Sequence, residues 1–153
     1  MSSADQEILG RVAAHPFLSG LTPPQYQILA DCAQLQEYAA DQMIFRSGDP
    51  ARGFYLIESG RIAVQSPEEN QPIEIDTVQP GEPLGWSWMF EPFVCAYNAR
   101  ALEPTRAIFF DALRLADHRG GDLTLGHELF KRMSNVMVRR LNAARAKLVQ
   151  AAH

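Results

Sequence analysis

The sequence has few of the side chains on which metal-dependent enzymes rely. It contains only four histidines, His15, His118, His127 and His153. None of them lies between Met43 and Asp111, where the strand-like segments are found. A metal centre on a β-barrel needs clustered histidine and carboxylate ligands on strands, so this scarcity excludes one. The motifs GxGxxG, GxSxG and HExxH and the P-loop are absent too. We therefore expect no enzyme activity, no metal and no cofactor.

Cysteine, long apolar runs and excess positive charge are also scarce. Cys32 and Cys95 are far apart and form no CxxC pair, so a disulfide framework is not indicated. The N-terminal stretch MSSADQEILGRV lacks the apolar run of a signal peptide, and no stretch of about 18 apolar residues is present to span a membrane. The formal net charge of -4 argues against a nucleic-acid partner. We predict a cytoplasmic protein with neither membrane nor nucleic-acid contacts.

What the sequence does contain is enough apolar material for a core. Its 153 residues are 46% hydrophobic, and a chain of this length buries about 70% of the surface that it exposes when unfolded. We predict one domain over 1–153, with N-terminal helices over 1–40. Ile8, Leu9 and Val12 share one helical face, and Thr22 followed by Pro23 indicates the start of a second helix.

Residues 41–112 have a different sequence pattern from the N-terminal helical region. Short apolar segments such as FYLI, RIAVQ and IEIDTV alternate with turn-forming segments such as SGDPARG, SPEENQP and QPGEP. This spacing is typical of an antiparallel β-sandwich or barrel.

A helical period returns over 122–152 and produces two apolar strips. One strip follows a heptad spacing and consists of Phe130, Ser134, Met137, Leu141, Ala144 and Leu148. The other consists of Leu125, Leu129, Met133 and Val136, and we expect it to pack on the β-domain. A helix with two apolar strips needs two neighbours, so we predict a homodimer through the heptad strip.

The segments MIFRSGDPARGFYLIESGRIAV, VQPGEPLG and MVRRL together resemble the cyclic nucleotide-binding domain of the catabolite activator protein superfamily. The resemblance extends from about His15 to Leu148. It implies a mainly β fold with flanking helices: an antiparallel jelly roll with N-terminal helices and a long C-terminal dimerisation helix. Domains of this kind bind a small ligand between the strands and transmit the event through the long helix.

The resemblance also identifies the segment that would hold the cyclic phosphate, GEPLGWSWMFEPFVCAYNARAL. In the family a glutamate follows the second glycine, and an arginine, a hydroxyl residue and an alanine follow about ten residues later. Here Gly85 is retained, but Trp86 occupies the glutamate position. The arginine, hydroxyl and alanine positions are occupied by Cys95, Ala96 and Tyr97. The usual contacts to a cyclic phosphate are therefore missing.

These substitutions leave three functions open. The first is a stand-alone regulatory module that binds a small, unidentified ligand in a pocket formed by Ile75, Val78, Gly85, Trp86, Ser87, Trp88, Cys95, Ala96, Tyr97 and Arg140. The second is a dimeric interaction scaffold that binds no ligand, in which Trp86 and Tyr97 fill the old pocket. The third is cAMP or cGMP binding through substituted contacts. The aromatic residues near Trp86 thus predict either a core plug or a remodelled pocket.

Transcription factors of the superfamily continue beyond the long helix into a helix-turn-helix domain. This sequence ends at His153 without one. We therefore expect any output to pass through a protein partner or through a change in the dimer.

Overall fold

Residues 2–67, 73–119 and 123–152 are described by the computed structural model of the chain. They group into two units, Met1–His118 and Arg119–His153. In the described residues, the first unit contains two short N-terminal helices, two antiparallel sheets and a further short helix after them. The second unit contains one long helix.

The two N-terminal helices each begin at a reciprocal cap. Helix α1 covers Ser3–Ala14 and helix α2 covers Pro23–Asp31. At α2 the Thr22 hydroxyl accepts from the backbone N–H of Gln25, and the Gln25 side chain accepts from the N–H of Thr22. Such a box satisfies N–H groups that have no partner within the helix. The predicted start of this helix is confirmed.

The sheet begins earlier than the sequence predicted. Strand β1 covers Ala33–Tyr38, a segment that we expected to be helical. Its residues pair with the last strand of the sandwich, Ala33 lying opposite Phe110 and Tyr38 opposite Thr105. The prediction of helix up to residue 40 is therefore wrong at its end, because pairing with a distant strand outweighs the local helical preference of this segment.

Within the described ranges, seven further strands complete two four-stranded antiparallel sheets. They are β2 (Met43–Phe45), β3 (Gly53–Ser59), β4 (Ile62–Gln65), β5 (Glu74–Val78), β6 (Pro83–Leu84), β7 (Asn98–Ala101) and β8 (Thr105–Asp111). The first sheet has the order β1-β8-β3-β6, and the second has the order β2-β7-β4-β5. Consecutive strands thus alternate between the sheets along much of the chain, as the predicted jelly roll requires.

A core of small and branched residues joins the two sheets. Its buried members are Ile57, Ile62, Val78, Leu84, Ala99 and Ala107. Because successive side chains of a strand face opposite ways, Tyr55 and Ile57 of β3 face this core while Phe54 and Leu56 face the other side. The other side of the same strand is also buried, since Phe54 and Leu56 have no exposed surface.

Gly53 starts β3 at a point where no side chain fits. A Cβ atom built on this residue would lie 1.8 Å from the backbone oxygen of Phe110. Gly53 is paired with Asp111 of β8, so the two strands approach closely at this end of the sheet.

A short helix that the sequence reading missed follows β8. Helix α3 covers Ala112–Arg119. The carboxylate of Asp111 accepts hydrogen bonds from the backbone N–H groups of Leu113 and Arg114, which is the interaction of a helix N-cap. Asp111, which precedes an apolar and basic run, is the sequence feature from which this helix could have been predicted.

The second unit is the long helix α4, which covers Leu123–Ala151. Leu125, Leu129, Met133 and Val136, the members of the second predicted strip, are buried. The heptad strip is more open, and Leu141 and Leu148 are 68% and 73% exposed. Among the described helices, none combines the length and the apolar character that crossing a bilayer requires.

Candidate functional site

A cavity of about 430 Å³ lies where the two sheets of the first unit meet. Both sheets and the two loops at this end of the sandwich contribute to its wall. The lining residues are Gln34, Gln36, Ile44, Phe45, Asp49, Pro50, Ala51, Arg52, Gly53, Tyr55, Gly85, Ser87, Cys95 and Phe109. The wall therefore combines aromatic rings with amide, hydroxyl, thiol and charged groups.

Three of these residues belong to the segment in which the family holds its cyclic phosphate. Gly85 turns the chain with a φ of +93°, a conformation that glycine adopts without strain. Ser87 starts a short 3-10 helix, Ser87–Met89. We expected a helix whose N-terminus could receive an anion. A helix of three residues has only a small dipole, so this source of anion affinity is weak here.

Trp88 packs away from the cavity. Its ring stacks on Phe54 at 5.3 Å between centroids, and Phe54 stacks on Phe110 at 4.9 Å. Phe54 and Phe110 lie on the face of their sheet opposite to the cavity-lining Tyr55 and Phe109. Trp88 Nε1 is buried and makes no hydrogen bond with the described residues. Trp88 is therefore a core residue.

Trp86 and Tyr97 form a separate aromatic group. The Trp86 ring meets Tyr97 edge-on at 6.4 Å and Phe90 edge-on at 6.2 Å. Both Trp86 and Tyr97 are half-buried. Neither residue lines the cavity described above, which therefore stays open beside them.

Cys95 is held against the loop between β2 and β3. Its backbone N–H donates to the carbonyl of Asp49 at 2.8 Å, and its carbonyl accepts from the N–H of Gly48 at 2.8 Å. The N–H of Ala51 donates to the carbonyl of Phe93, also at 2.8 Å. These bonds join the two loops, and both loops contribute residues to the wall of the cavity.

Within the part of the chain that the structure describes, the one charged residue that acts on the Cys95 thiol is acidic. Burial raises the pKa of the Cys95 thiol, and the Asp49 carboxylate raises it further. Burial also raises the pKa of Tyr55 to about 12, with smaller contributions from Cys95 and Asp49. The thiol and the phenol are therefore neutral near pH 7, and the Asp49 carboxylate contributes to both shifts.

The other residues predicted for the pocket are spread more widely. Val78 belongs to the core between the sheets, whereas Ile75 and Ala96 are exposed. None of these three residues lines the cavity. Arg140 lies on α4, in the second unit, and its contact with a ligand stays a prediction.

Sequence reasoning missed several residues of the wall. Gln34 and Gln36 were assigned to a helix, although both line the cavity from β1. Arg52 lines it from the loop before β3 and supplies a cation that the sequence reading did not consider. Alternation of Gln34 and Gln36 with Ala33 and Leu35 was the signal for the strand face.

Comparison with known proteins agrees with this architecture. The family model for the cyclic nucleotide-binding domain matches residues 35–117, more than half of the chain. A cyclic nucleotide-binding domain from Methylobacillus flagellatus has a similar structure, with a TM-score of 0.77 and 18% identity over 97% of this chain and 85% of that one. The predicted fold class is confirmed.

Two regulatory subunits are also similar. A cAMP-dependent protein kinase regulatory subunit of Hypocrea atroviridis is 41% identical over 54 residues, which are 35% of this chain and 12% of that protein. The regulatory subunit of a cAMP-independent protein kinase A from Trypanosoma cruzi, solved bound to guanosine, has a TM-score of 0.67 and 18% identity over 87% of this chain and 48% of that one. The chain thus spans about an eighth of the length of the first of these relatives. This chain belongs to the cyclic nucleotide-binding domain family.

Proposed function

We propose that this chain is a regulatory sensor domain that binds a small ligand other than cAMP or cGMP in the family's usual mode. The observation that carries the proposal is the open cavity of about 430 Å³ beside Gly85, Ser87 and Cys95. Ligand sites in proteins commonly measure about 300–1,000 Å³ and combine apolar walls with a few polar groups. Neither Trp86 nor Tyr97 lines this cavity, so their rings leave it free for a ligand.

The chemistry of the cavity argues against a cyclic phosphate held in the usual way. The thiol of Cys95 stands at the arginine position, and the nearest charge acting on it is that of Asp49. Losing a charge-assisted pair with a buried anion costs about 2–5 kcal/mol, which is about one and a half to four decades of affinity. A ligand that does not depend on such a pair suits this site better.

A thermal-shift screen tests the proposal. Cyclic nucleotides, nucleosides and uncharged heterocycles are each added to the protein. A ligand present at a hundred times its dissociation constant adds about 2.7 kcal/mol of stability. We expect at least one uncharged compound to raise the melting temperature and cAMP to raise it less. If no compound stabilises the protein, the sensor function is wrong.

A matched pair of variants locates the binding. Ser87→Leu places a bulky side chain in the cavity wall, whereas Ser3→Leu makes the same change on the exposed first turn of α1. Ser87→Leu should abolish the thermal shift and Ser3→Leu should retain it. An equal shift in both variants would place the ligand elsewhere on the protein.

Binding of cAMP or cGMP through substituted contacts is the second candidate, and Arg52 favours it. This residue is the one arginine among the cavity-lining residues. If its guanidinium replaces the family's arginine, calorimetry should give micromolar affinity for cAMP that falls at least tenfold in Arg52→Ala. Arg46→Ala, an exposed change in the same loop that does not line the cavity, is the control.

We also propose a homodimer through α4. The heptad strip carries Leu141 and Leu148, which are largely exposed within one chain. Apolar residues at heptad spacing favour the pairing of two helices. Sedimentation should show a dimer that Leu141→Asp with Leu148→Asp converts to a monomer. Asn142→Asp, at an exposed position off the strip, should leave the dimer intact.

A ligand-dependent change in this dimer would carry the signal to a protein partner, as suits a domain similar to kinase regulatory subunits. We place this activity in the cytoplasm. Cys32 and Cys95 are both free thiols, which agrees with a reducing compartment.

A further inference from the structure

We propose that the heptad strip of α4 binds an acidic amphipathic helix of a partner protein, which takes the place of the second copy of the chain. The strip is the row Phe130, Ser134, Met137, Leu141, Ala144 and Leu148. The inference rests on the homodimer and the protein partner proposed above, and it adds the chemistry of that partner. Three features carry it: the exposure of the distal half of α4, the sign of the charges beside the strip, and the small residues within it.

The distal half of α4 presents apolar side chains to solvent. Every residue from 141 to 151 is exposed. Leu141 and Leu148 of the strip lie in this half, as does Val149, which is also exposed. Apolar side chains left open along one face of a helix indicate a surface that another molecule covers. The strip from Phe130 to Leu148 is about 27 Å long, so a second helix of about five turns can lie along it.

The residues beside the strip are basic or apolar. In a heptad the a and d residues form the seam, and the e and g residues form its flanks, where charges determine the partner. With Leu141 and Leu148 as a residues, the flanks from 131 to 147 consist of Lys131, Met133, Val138, Arg140, Arg145 and Lys147. Glu128 is the only acidic residue of the sequence from 123 to 151, and it lies before the strip. The flanks therefore contain no acidic residue.

A second copy of α4 matches these flanks poorly. In a parallel pair the g residues of one helix face e residues of the other, and in an antiparallel pair e faces e and g faces g. Either arrangement brings together side chains that are all basic or apolar, and like charges destabilise such a pair. An acidic helix meets the same flanks with the opposite charge. The flanks thus favour a partner that has glutamate or aspartate at its own e and g positions.

The seam itself contains two small residues, Ser134 and Ala144. In a parallel pair of copies each small residue meets its own counterpart, so these two layers are underfilled, which reduces stability. A partner helix with leucine opposite Ser134 and Ala144 fills both layers. Packing and charge therefore favour the same occupant, an acidic helix with large apolar residues along its seam.

A protein helix suits this surface better than an extended polyanion does. Nucleic acid and anionic lipid would also attract Arg145 and Lys147. The formal net charge of the chain is -4, however, and this charge repels an extended polyanion. A single acidic helix need only lie along α4.

Two synthetic peptides test the inference on the full chain. Both have leucine at a and d and about the length of the strip, but the acidic peptide has glutamate and the basic peptide has lysine at every e and g position. We expect fluorescence anisotropy to show at least tenfold tighter binding of the acidic peptide, and sedimentation to show that it replaces the second copy. Raising the salt from about 0.05 M to about 0.5 M should weaken this complex and strengthen the homodimer, because screening reduces attraction and repulsion alike.

A charge reversal tests the flanks. Arg145→Glu with Lys147→Glu gives the flanks equal numbers of acidic and basic residues, so it should abolish the preference for the acidic peptide. Arg139→Glu with Arg46→Glu changes the net charge equally, at exposed positions outside the strip and its flanks, and should keep the preference. Loss of the preference in both double variants would show that the peptide responds to net charge and not to the flanks.

A second pair of substitutions tests the seam. Leu141→Asp with Leu148→Asp should abolish binding of the acidic peptide, because the flanks alone do not hold a helix. If this variant still binds the peptide, or if the unaltered protein binds it without releasing the second copy, the peptide lies elsewhere and the inference is wrong. The inference is also wrong if both peptides bind equally well, or if vesicles of phosphatidylcholine and phosphatidylserine bind while the acidic peptide does not.

The remaining outcomes separate this inference from the proposals on which it rests. If the protein alone sediments as a dimer and the acidic peptide does not bind, the inference fails and the homodimer stands. If the protein alone is a monomer and the acidic peptide binds through Leu141 and Leu148, the docking face stands and the homodimer fails. The thermal-shift screen measures the sensor function of the cavity independently of both results.

Discussion

The backbone of Cys95 is hydrogen-bonded to that of Asp49, the N–H of the first donating to the carbonyl of the second at 2.8 Å. Both residues line the cavity, and the Asp49 carboxylate raises the pKa of the Cys95 thiol. The reactivity of this thiol therefore reports the charge of Asp49.

The first prediction concerns this thiol. Asp49→Asn should lower the pKa of Cys95, because the carboxylate raises it, while burial, the larger cause, remains. The asparagine oxygen can still accept from the N–H of Arg46, as Asp49 does. The rate of alkylation against pH, measured in a Cys32→Ser background, should shift to lower pH. An unchanged profile would show that Asp49 does not act on the thiol.

A second prediction tests the close approach of β3 and β8. Gly53→Ala should destabilise the fold by about 3 kcal/mol or more, since its Cβ would lie 1.8 Å from the backbone oxygen of Phe110. Gly10→Ala is the matched control, because a Cβ there meets nothing within 4 Å. Gly10 lies inside α1, so alanine should stabilise the protein by about 0.5–1 kcal/mol. Urea denaturation of both variants measures the difference, and a mild effect of Gly53→Ala would contradict the strand spacing.

A third prediction compares two ion pairs. Arg11 Nε donates to Glu58 at 2.9 Å, and the two side chains are only 19% and 20% exposed. Arg61 Nε donates to Glu103 at 3.2 Å, but these side chains are 48% and 45% exposed. Arg11→Met should cost about 1.5–3 kcal/mol and Arg61→Met less than about 1 kcal/mol.

Double-mutant cycles with Glu58→Gln and Glu103→Gln isolate the two coupling energies. Arg11 also contacts Glu7 at 3.4 Å, so Glu7→Gln is measured beside them. Equal coupling energies in the partly buried and the exposed pair would show that partial burial does not strengthen the Arg11–Glu58 pair.

The fourth prediction concerns the dependence of stability on pH. His15 is buried, and its Nδ1 accepts from the N–H of Phe17 at 3.2 Å while its Nε2 donates to the carbonyl of Ile57 at 2.9 Å. Burial lowers the pKa of His15, although the bond to Ile57 and the charge of Glu58 oppose this. The unfolded chain therefore binds a proton more readily, and stability should fall as the pH drops below the unfolded pKa of about 6.5.

His15→Gln removes the titrating group, so its stability should depend less on pH over this range. His127→Gln, an exposed change, is the control and should behave like the unaltered protein. The measurement is the free energy of unfolding in urea at pH 7.5 and at pH 5.0. If His15→Gln loses more stability than the unaltered protein between pH 7.5 and pH 5.0, the pKa of His15 is not lowered by folding.

The sequence predicted the architecture well because its signals are local. Thr22 and Pro23 predict the start of α2, and the turn segments between apolar runs indicate where the strands begin and end. β1 was missed because its pairing depends on β8, about seventy residues later, and no local pattern reveals such a partner. Asp111 is the helix-capping residue that indicates the start of α3, but this signal consists of a single residue.

The candidate site was less predictable. The family resemblance pointed to Gly85, Ser87 and Cys95, and all three line the cavity. It also led to Trp88, which stacks on Phe54 on the opposite side of the sheet. Side chains between Gly85 and Tyr97 do not alternate between two faces as they would in a strand, because this segment forms a short 3-10 helix and turns. The direction of each side chain there follows from packing alone.

Trp88 also gives the protein an optical reporter of its own. Its indole stacks on Phe54 of β3. The next residue of this strand, Tyr55, faces the cavity from the opposite side of the sheet. The chain has two tryptophans, so Trp86→Phe would leave Trp88 as the sole indole emitter. A ligand that shifts β3 by a fraction of an ångström would alter the packing around this indole and with it the emission. The occupancy of the cavity could then be followed in solution without an attached dye.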